Sequence, residues 1–184
     1  MGKHLQRLSG RLSALRRFAP ARASRVASRW AGLASDAFVH ELESVSWSGI
    51  PQVHLNHNYL ITGDREIYWI DWMRDQFFGG GQVGDALSLG CGAGHLDRIF
   101  KQHGYTFRSL MGIDISQAAV DRAGVLAAEI HLAPKVTYLA ADLNTHRLPE
   151  RTFDFIYFFQ SLHHIEALEH VLSECRRALR PRRC

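Results

Sequence analysis

Apolar positions along this chain group into short strand-like runs that alternate with segments of helical spacing. Four strand-like runs begin after residue 85, at residues 86–89, 108–114, 135–141 and 153–160. Helical patterns precede, separate or follow them, at residues 65–77, 95–103, 117–131 and 164–179. The order βαβαβ followed by a further βα unit predicts an α/β fold with a Rossmann-like, doubly wound parallel sheet.

The first 45 residues have a different character. Residues 1–35 contain eight basic side chains and no acidic one, although the whole chain has a formal net charge of only +4. Four leucines recur there at helical spacing, namely Leu5, Leu8, Leu12 and Leu15. This predicts a basic amphipathic helical arm (1–45) ahead of one domain (46–184). The arm has four interpretations: a solvated segment docked on the domain, a membrane-surface helix, a nucleic-acid contact or a targeting peptide.

Composition narrows the class of protein. No run approaches eighteen apolar residues, so no transmembrane span is expected. The three cysteines, Cys91, Cys175 and Cys184, are too few and too scattered for a disulfide framework, which favours a reducing, cytoplasmic location. His54 and His57 lack an evident third ligand, so no metal site is expected.

Three closely spaced glycines, Gly90, Gly92 and Gly94, connect the first predicted strand to the helix behind it. Glycine is needed where the backbone turns sharply and lies flat against a ligand, and the following helix offers unpaired N–H groups. His95 stands where a dinucleotide fingerprint has its last glycine, and no Gly-Lys-Ser/Thr of a P-loop follows. The loop therefore favours a nucleoside-type cofactor other than NAD.

Polar residues end the later strands. Asp114 and Asp142 end the second and third, and Gln160 ends the fourth. Ligands of open parallel sheets bind outside the carboxyl ends of the strands, where an acid can accept hydrogen bonds from both hydroxyls of a ribose. A lone Asp at a strand end is more often a helix N-cap, so capping near Ser116 is an alternative for this region.

These ordered motifs, from about Ile67 to Pro181, resemble the class I S-adenosylmethionine-dependent methyltransferases of the small-molecule kind. The resemblance implies S-adenosyl-L-methionine as the cofactor. It implies that the methionine part lies at Gly90, Cys91, Gly92 and Gly94, the ribose at Asp114, the adenine at Ile115, Asp142 and Leu143, and the sulfonium end at Gln160. Ser88 departs from the family, which usually has an acid there, so weaker support for the cofactor's ammonium group is expected.

The reaction so implied is in-line methyl transfer to a small-molecule, lipid or sugar-linked acceptor. His163 and His164 are the candidate general bases for a hydroxyl acceptor, and the alternative is that they begin a helix. Methylation of base amino groups is disfavoured because Gln160-Ser-Leu-His-His164 replaces the [DN]-P-P-[FY] motif. Methylation of RNA cytosine C5 is disfavoured because Cys175 lies too far along the next helix.

The resemblance also implies three further strands after the fourth strand and its helix, so we expect an incomplete sheet with the first four strands only. The fourth strand would then be an open edge, which predicts a dimer or aggregation unless a partner covers it. Two alternatives to an active methyltransferase stay open. One is a catalytically impaired cofactor-binding remnant, and the less favoured one is an NAD-type oxidoreductase.

Overall fold

The computed structural model describes residues 24–28 and 50–181. Residues 24–28 are helical, and the rest of the predicted arm lies outside the described residues. The helices are α1 (Pro51–Thr62), α2 (Trp69–Phe77), α3 (His95–Gln102), α4 (Gln117–Glu129) and α5 (Leu168–Ala178). The strands are β1 (Gln82–Leu89), β2 (Thr106–Asp114), β3 (Val136–Ala140) and β4 (Phe155–Phe158). In this described part no helix has the length and apolar character needed to cross a bilayer.

All strand pairs of the sheet are parallel, and the strand order is β3-β2-β1-β4. The chain first builds outward from β1 through β2 to β3, and then returns to place β4 on the other side of β1. The order therefore reverses at β1, and ligands of open α/β sheets bind at such a reversal, beyond the carboxyl ends of the strands. The predicted α/β Rossmann-like sheet is confirmed, and its glycine loop leaves β1 at this point.

The sheet is central because β1 has apolar side chains on both faces. Two buried clusters form, one on each face, since successive side chains of a strand point to opposite sides. The first cluster, on the face of α2 and α3, includes Ile70, Ala86, Phe100, Leu110 and Tyr157. The second cluster, on the face of α5, includes Leu87, Leu89, Ile113, Val171 and Cys175. The clusters bury β1 and β2 as far as Leu89 and Ile113, next to the reversal point.

Some boundaries differ from the predicted ones. α2 begins at Trp69 instead of residue 65, and α1 occupies a segment for which the sequence analysis made no helix prediction. β4 is shorter than the predicted run 153–160. Before it, Phe153 forms an isolated bridge with Leu179 and Asp154 Oδ2 accepts a hydrogen bond from the Asp85 N–H; after it, Gln160 has a positive φ of 52°. Within residues 50–181 β4 pairs with β1 alone, and the expected dimer through its other edge stays a prediction.

An ion cluster fastens the amino ends of the strands, at the end of the sheet opposite the glycine loop. The Asp85 carboxylate of β1 accepts hydrogen bonds from Arg108 Nε (2.8 Å), Ser109 Oγ (2.7 Å) and Arg180 Nη2 (2.7 Å). Arg180 also donates to Asp154 at 2.7 Å. The cluster therefore ties β1 and β2 to the segments that precede β4 and follow α5.

Replacing Asp85 by Asn should lower the melting temperature most at neutral pH. Hydrogen bonds from Arg108 above all, and from Ser109 and Arg180, hold the pKa of Asp85 well below its ordinary value of 3.8. A carboxylate with a lowered folded-state pKa stabilises above the unfolded-state value and loses that contribution as the pH falls. The difference in melting temperature between Asp85→Asn and wild type should therefore shrink between pH 5 and pH 2. A difference that is constant with pH, or one matched by the exposed control Glu129→Gln, would contradict this account.

Candidate active site

The glycine loop turns from β1 back onto the end of β2. The N–H groups of Gly90 and Cys91 both donate to the carbonyl oxygen of Ile113, at 2.8 and 3.1 Å. Gly90, Gly92 and Gly94 have φ values of 68°, 52° and 71°, in the left-handed region that favours glycine. The structure thus has the sharp turn that the glycine spacing predicts, and α3 begins directly behind it.

The three glycines serve different purposes. A Cβ on Gly90 would lie 2.4 Å from Cβ of Ser161, and a Cβ on Gly94 would lie 2.7 Å from the hydroxyl oxygen of Tyr138. A Cβ on Gly92 would meet no atom within 4 Å. Gly90 and Gly94 therefore let the protein pack closely on itself. Gly92 presents bare backbone on the open side of the loop, where a flat ligand can lie.

Asp114 at the tip of β2 contacts the loop directly. Its Oδ2 accepts a hydrogen bond from the N–H of Gly92 at 2.9 Å, and its Oδ1 accepts one from the N–H of Ser116 at 2.9 Å. Ser116 is the N-cap of α4, since its Oγ accepts a hydrogen bond from the N–H of Ala119. Ser116, and not Asp114, is therefore the N-cap of α4. Each Asp114 oxygen keeps a second lone pair for an incoming donor.

The tip of β3 lies beside Asp114, because the N–H of Ala141 donates to the carbonyl oxygen of Asp114 at 2.8 Å. Asp142 follows, and its Oδ1 accepts hydrogen bonds from both nitrogens of Asn144, at 3.0 and 2.8 Å. The side chain of Leu143 is buried. The structure thus brings Asp114 and Asp142 to neighbouring strand tips, as expected for one crevice.

Asn144 is a positioning residue that the sequence analysis missed. Its Oδ1 accepts hydrogen bonds from the N–H groups of Glu166 and Ala167, at 2.9 and 2.8 Å. These bonds hold the segment after β4 against the tip of β3, and α5 begins only at Leu168 instead of residue 164. An Asn two residues after a strand-end Asp is the sequence signal, although its distant partners are not visible in the sequence.

The segment after β4 carries the remaining candidates. Gln160 and the two histidines are exposed, whereas Ser161 is buried and donates from Oγ to the carbonyl oxygen of Leu89 at 2.7 Å. His163 and His164 belong to a separate 3₁₀ turn, Leu162–His164, so the alternative that they begin α5 is wrong. Their ring centroids lie 3.9 Å apart. Desolvation of the ring where it lies against the protein, and then the neighbouring His163, lower the pKa of His164 from its ordinary 6.5, which favours the neutral form that a base requires.

Two other predicted residues are partly buried. Ile115 follows Asp114 on the way to the Ser116 cap. Burial, with the carboxylates of Asp97 and Asp114, strongly raises the pKa of the Cys91 thiol, so this side chain is a neutral part of the turn. Across residues 24–28 and 50–181, His, Cys, Asp and Glu side chains form no group of three or more that is placed to hold a metal ion.

Comparisons with known proteins agree with this geometry. Residues 87–182 match the methyltransferase domain family. The chain is 33% identical over 95 residues to a sterol 24-C-methyltransferase of Gibberella zeae, covering 52% of this chain and 24% of that protein. It is 31% identical over 101 residues to the 27-O-demethylrifamycin SV methyltransferase of Amycolatopsis mediterranei, covering 54% of this chain and 36% of that protein.

A solved structure agrees with the match to the methyltransferase domain family. The S-adenosylmethionine-dependent methyltransferase of Mesorhizobium loti superposes with a TM-score of 0.50 at 28% identity, covering 61% of this chain and 49% of that one. The chain therefore spans about half of this structure, and about a quarter to a third of the two curated relatives. The family match extends over more than half of the chain and includes the glycine loop and the strand tips. This chain belongs to the methyltransferase domain family and has the class I S-adenosylmethionine-dependent methyltransferase fold.

Proposed function

We propose that the chain binds S-adenosylmethionine at the glycine loop and serves methyl transfer to a small-molecule or lipid acceptor. The observation that carries this proposal is the hydrogen bond from the Gly92 N–H to the Asp114 carboxylate. This bond places the exposed backbone at Gly92 and the carboxylate of Asp114 next to each other in one site. The names of the two curated relatives refer to a sterol and to a rifamycin, which supports an acceptor that is not a macromolecule.

In this proposal each part of the site has one task. Asp114 accepts hydrogen bonds from the ribose hydroxyls, and Gly92 leaves room for the methionine part. Asp142 and Leu143, at the next strand tip, contact the adenine, with Ile115 beside it. Gln160 lies toward the sulfonium end. The bound cofactor supplies an activated methyl group, so the protein mainly aligns the acceptor and excludes water.

Binding measurements test the cofactor class directly. We expect calorimetric titration of the full chain with S-adenosylhomocysteine to show saturable binding, and titration with NAD to show none. Transfer of a labelled methyl group from S-adenosylmethionine to sterol and demethylrifamycin acceptors then tests the reaction. Binding with no transfer to any acceptor would favour the remnant interpretation. Binding of NAD alone would contradict the proposed function.

For a hydroxyl acceptor we propose that His164, or its neighbour His163, takes up the proton. The double variant His163→Ala/His164→Ala should then lower kcat by about 10²–10⁴-fold, because that is the usual contribution of a general base. Affinity for S-adenosylhomocysteine should remain unchanged, since both rings are exposed and outside the glycine loop. Unchanged turnover would eliminate the two histidines as bases, and the single variants would identify which one acts.

A further inference from the structure

A buried carboxylate lies under the glycine loop, and the proposed cofactor contacts leave it without a role. Asp97, in the first turn of α3, has only 1% of its surface exposed. Its Oδ1 accepts a hydrogen bond from the Tyr157 hydroxyl at 2.5 Å, and its Oδ2 accepts one from the Tyr138 hydroxyl at 3.0 Å. The Ser88 hydroxyl, at the end of β1, also hydrogen-bonds to it. Burial raises the pKa of Asp97 above its ordinary value, and the hydroxyls of Tyr157, Tyr138 and Ser88 act against that rise because they stabilise the carboxylate. Burying an acid is costly, so a carboxylate that receives hydrogen bonds from three strands is expected to have a function.

The approach of Tyr138 to Asp97 depends on two glycines. Tyr138 belongs to β3 and crosses β2, where a Cβ on Gly112 would lie 2.5 Å from its ring. The hydroxyl then lies against Gly94, where a Cβ would approach it to 2.7 Å. Residues of β2 and of the glycine loop thus make room for the ring that holds Asp97. Asp97 is therefore connected to the glycine loop through Tyr138, whose hydroxyl contacts both Gly94 and the Asp97 carboxylate.

The charge of Asp97 acts on the loop itself. Burial raises the pKa of the Cys91 thiol, and the negative charges of Asp97 and Asp114 raise it further. Cys91 stands between Gly90 and Gly92, so both carboxylates contribute negative potential at the middle of the turn. Such potential disfavours a thiolate there and by the same physics favours a cation, with little screening because the surroundings are buried.

We propose that Asp97 is a positioning residue for the cofactor, whose carboxylate, held beneath the glycine loop by Tyr138, Tyr157 and Ser88, stabilises the ammonium group at the amino-acid end of the bound ligand. The inference rests on the proposed cofactor site. It means that the negative charge missing from position 88 is supplied by the first turn of α3, with Ser88 as one of its hydrogen-bond donors.

Two ligands that differ at their amino-acid end test this inference. S-Adenosylhomocysteine carries the ammonium group, whereas 5′-methylthioadenosine keeps the adenosine and the thioether and lacks that end. Asp97→Asn in the full chain should weaken binding of S-adenosylhomocysteine about tenfold, because an isosteric amide removes the charge of a charge-assisted interaction. Binding of 5′-methylthioadenosine should change less than about twofold. Asp121→Asn, which removes an exposed carboxylate of α4, is the matched control and should change neither affinity.

The double variant Ser88→Asp/Asp97→Ser keeps the inference testable even where Asp97→Asn does not fold. It places one carboxylate back among the same hydroxyls. It should therefore restore tighter binding of S-adenosylhomocysteine relative to 5′-methylthioadenosine. Equal losses for both ligands in Asp97→Asn, or a folded double variant without the preference, would overturn the inference. A wild-type chain that binds neither ligand would contradict the proposed function itself, whereas normal binding by both wild type and Asp97→Asn would contradict only the role of Asp97.

Discussion

Replacing Asp114 by Ala is expected to weaken binding of S-adenosylhomocysteine about 100-fold or more. The carboxylate is placed at the loop by its bond to the Gly92 N–H, and it offers further lone pairs to two ribose hydroxyls. Hydrogen bonds to a charged group contribute about 1.5–3 kcal/mol each, and each 1.4 kcal/mol is a factor of ten in affinity. Loss of the Gly92 contact also frees the loop, which must then be ordered by the ligand.

The variant Asp114→Asn separates these two effects. An amide oxygen can still accept from one of the two N–H groups, of Gly92 or Ser116, but it cannot accept from both hydroxyls of a ribose. Both variants should therefore bind poorly by calorimetry, while Asp114→Asn keeps a melting temperature closer to that of wild type. Affinity equal to wild type in either folded variant would reduce Asp114 to a structural residue of the turn.

The site residues that could be predicted from the sequence are those whose role depends only on their own residue type and their neighbours in the chain. Gly90, Gly92 and Gly94 indicate the turn because glycine adopts a positive φ far more readily than any other residue type. Asp114 and Asp142 are visible because each follows an apolar strand directly. Periodicity likewise predicted α3 and β3 to within one residue at each end, since both are framed by polar or glycine positions.

The parts that it missed depend on partners far away in the sequence. In the sequence, Asp97 resembles an acid on the surface of a helix. In the structure it is buried and hydrogen-bonded to Tyr138 and Tyr157, which follow 41 and 60 residues later. Asn144 acquires its role from N–H groups 22 and 23 residues away. The hydrogen bond between the Asp85 N–H and the Asp154 carboxylate likewise joins residues 69 positions apart. Hydrophobic periodicity contains no information about such polar pairings, which follow only from the strand order.

Because the contacts of Gly90 and Gly92 with the rest of the protein differ, we expect alanine at these two positions to change the free energy of unfolding by different amounts. Gly90→Ala should lower the free energy of unfolding by about 3 kcal/mol or more. A left-handed conformation costs a residue with a Cβ about 1–2 kcal/mol. The new methyl group would also lie 2.4 Å from Ser161 Cβ, and displacing Ser161 breaks its buried hydrogen bond to the Leu89 carbonyl oxygen. An unsatisfied buried group costs about 1–3 kcal/mol, so the total is a large part of the stability of a small domain.

Gly92→Ala is the matched control, because its φ of 52° imposes a similar backbone cost while its Cβ meets no atom of the protein within 4 Å. It should lower the free energy of unfolding by only about 1–2 kcal/mol, yet weaken S-adenosylhomocysteine binding because the methyl group occupies the open face of the loop. Urea unfolding of both variants measures the difference. Adding Ser161→Gly to Gly90→Ala should recover about 1 kcal/mol or more, as expected for residues in direct contact. Equal destabilisation by the two alanines would mean that backbone conformation, and not the contact with Ser161, requires glycine at position 90.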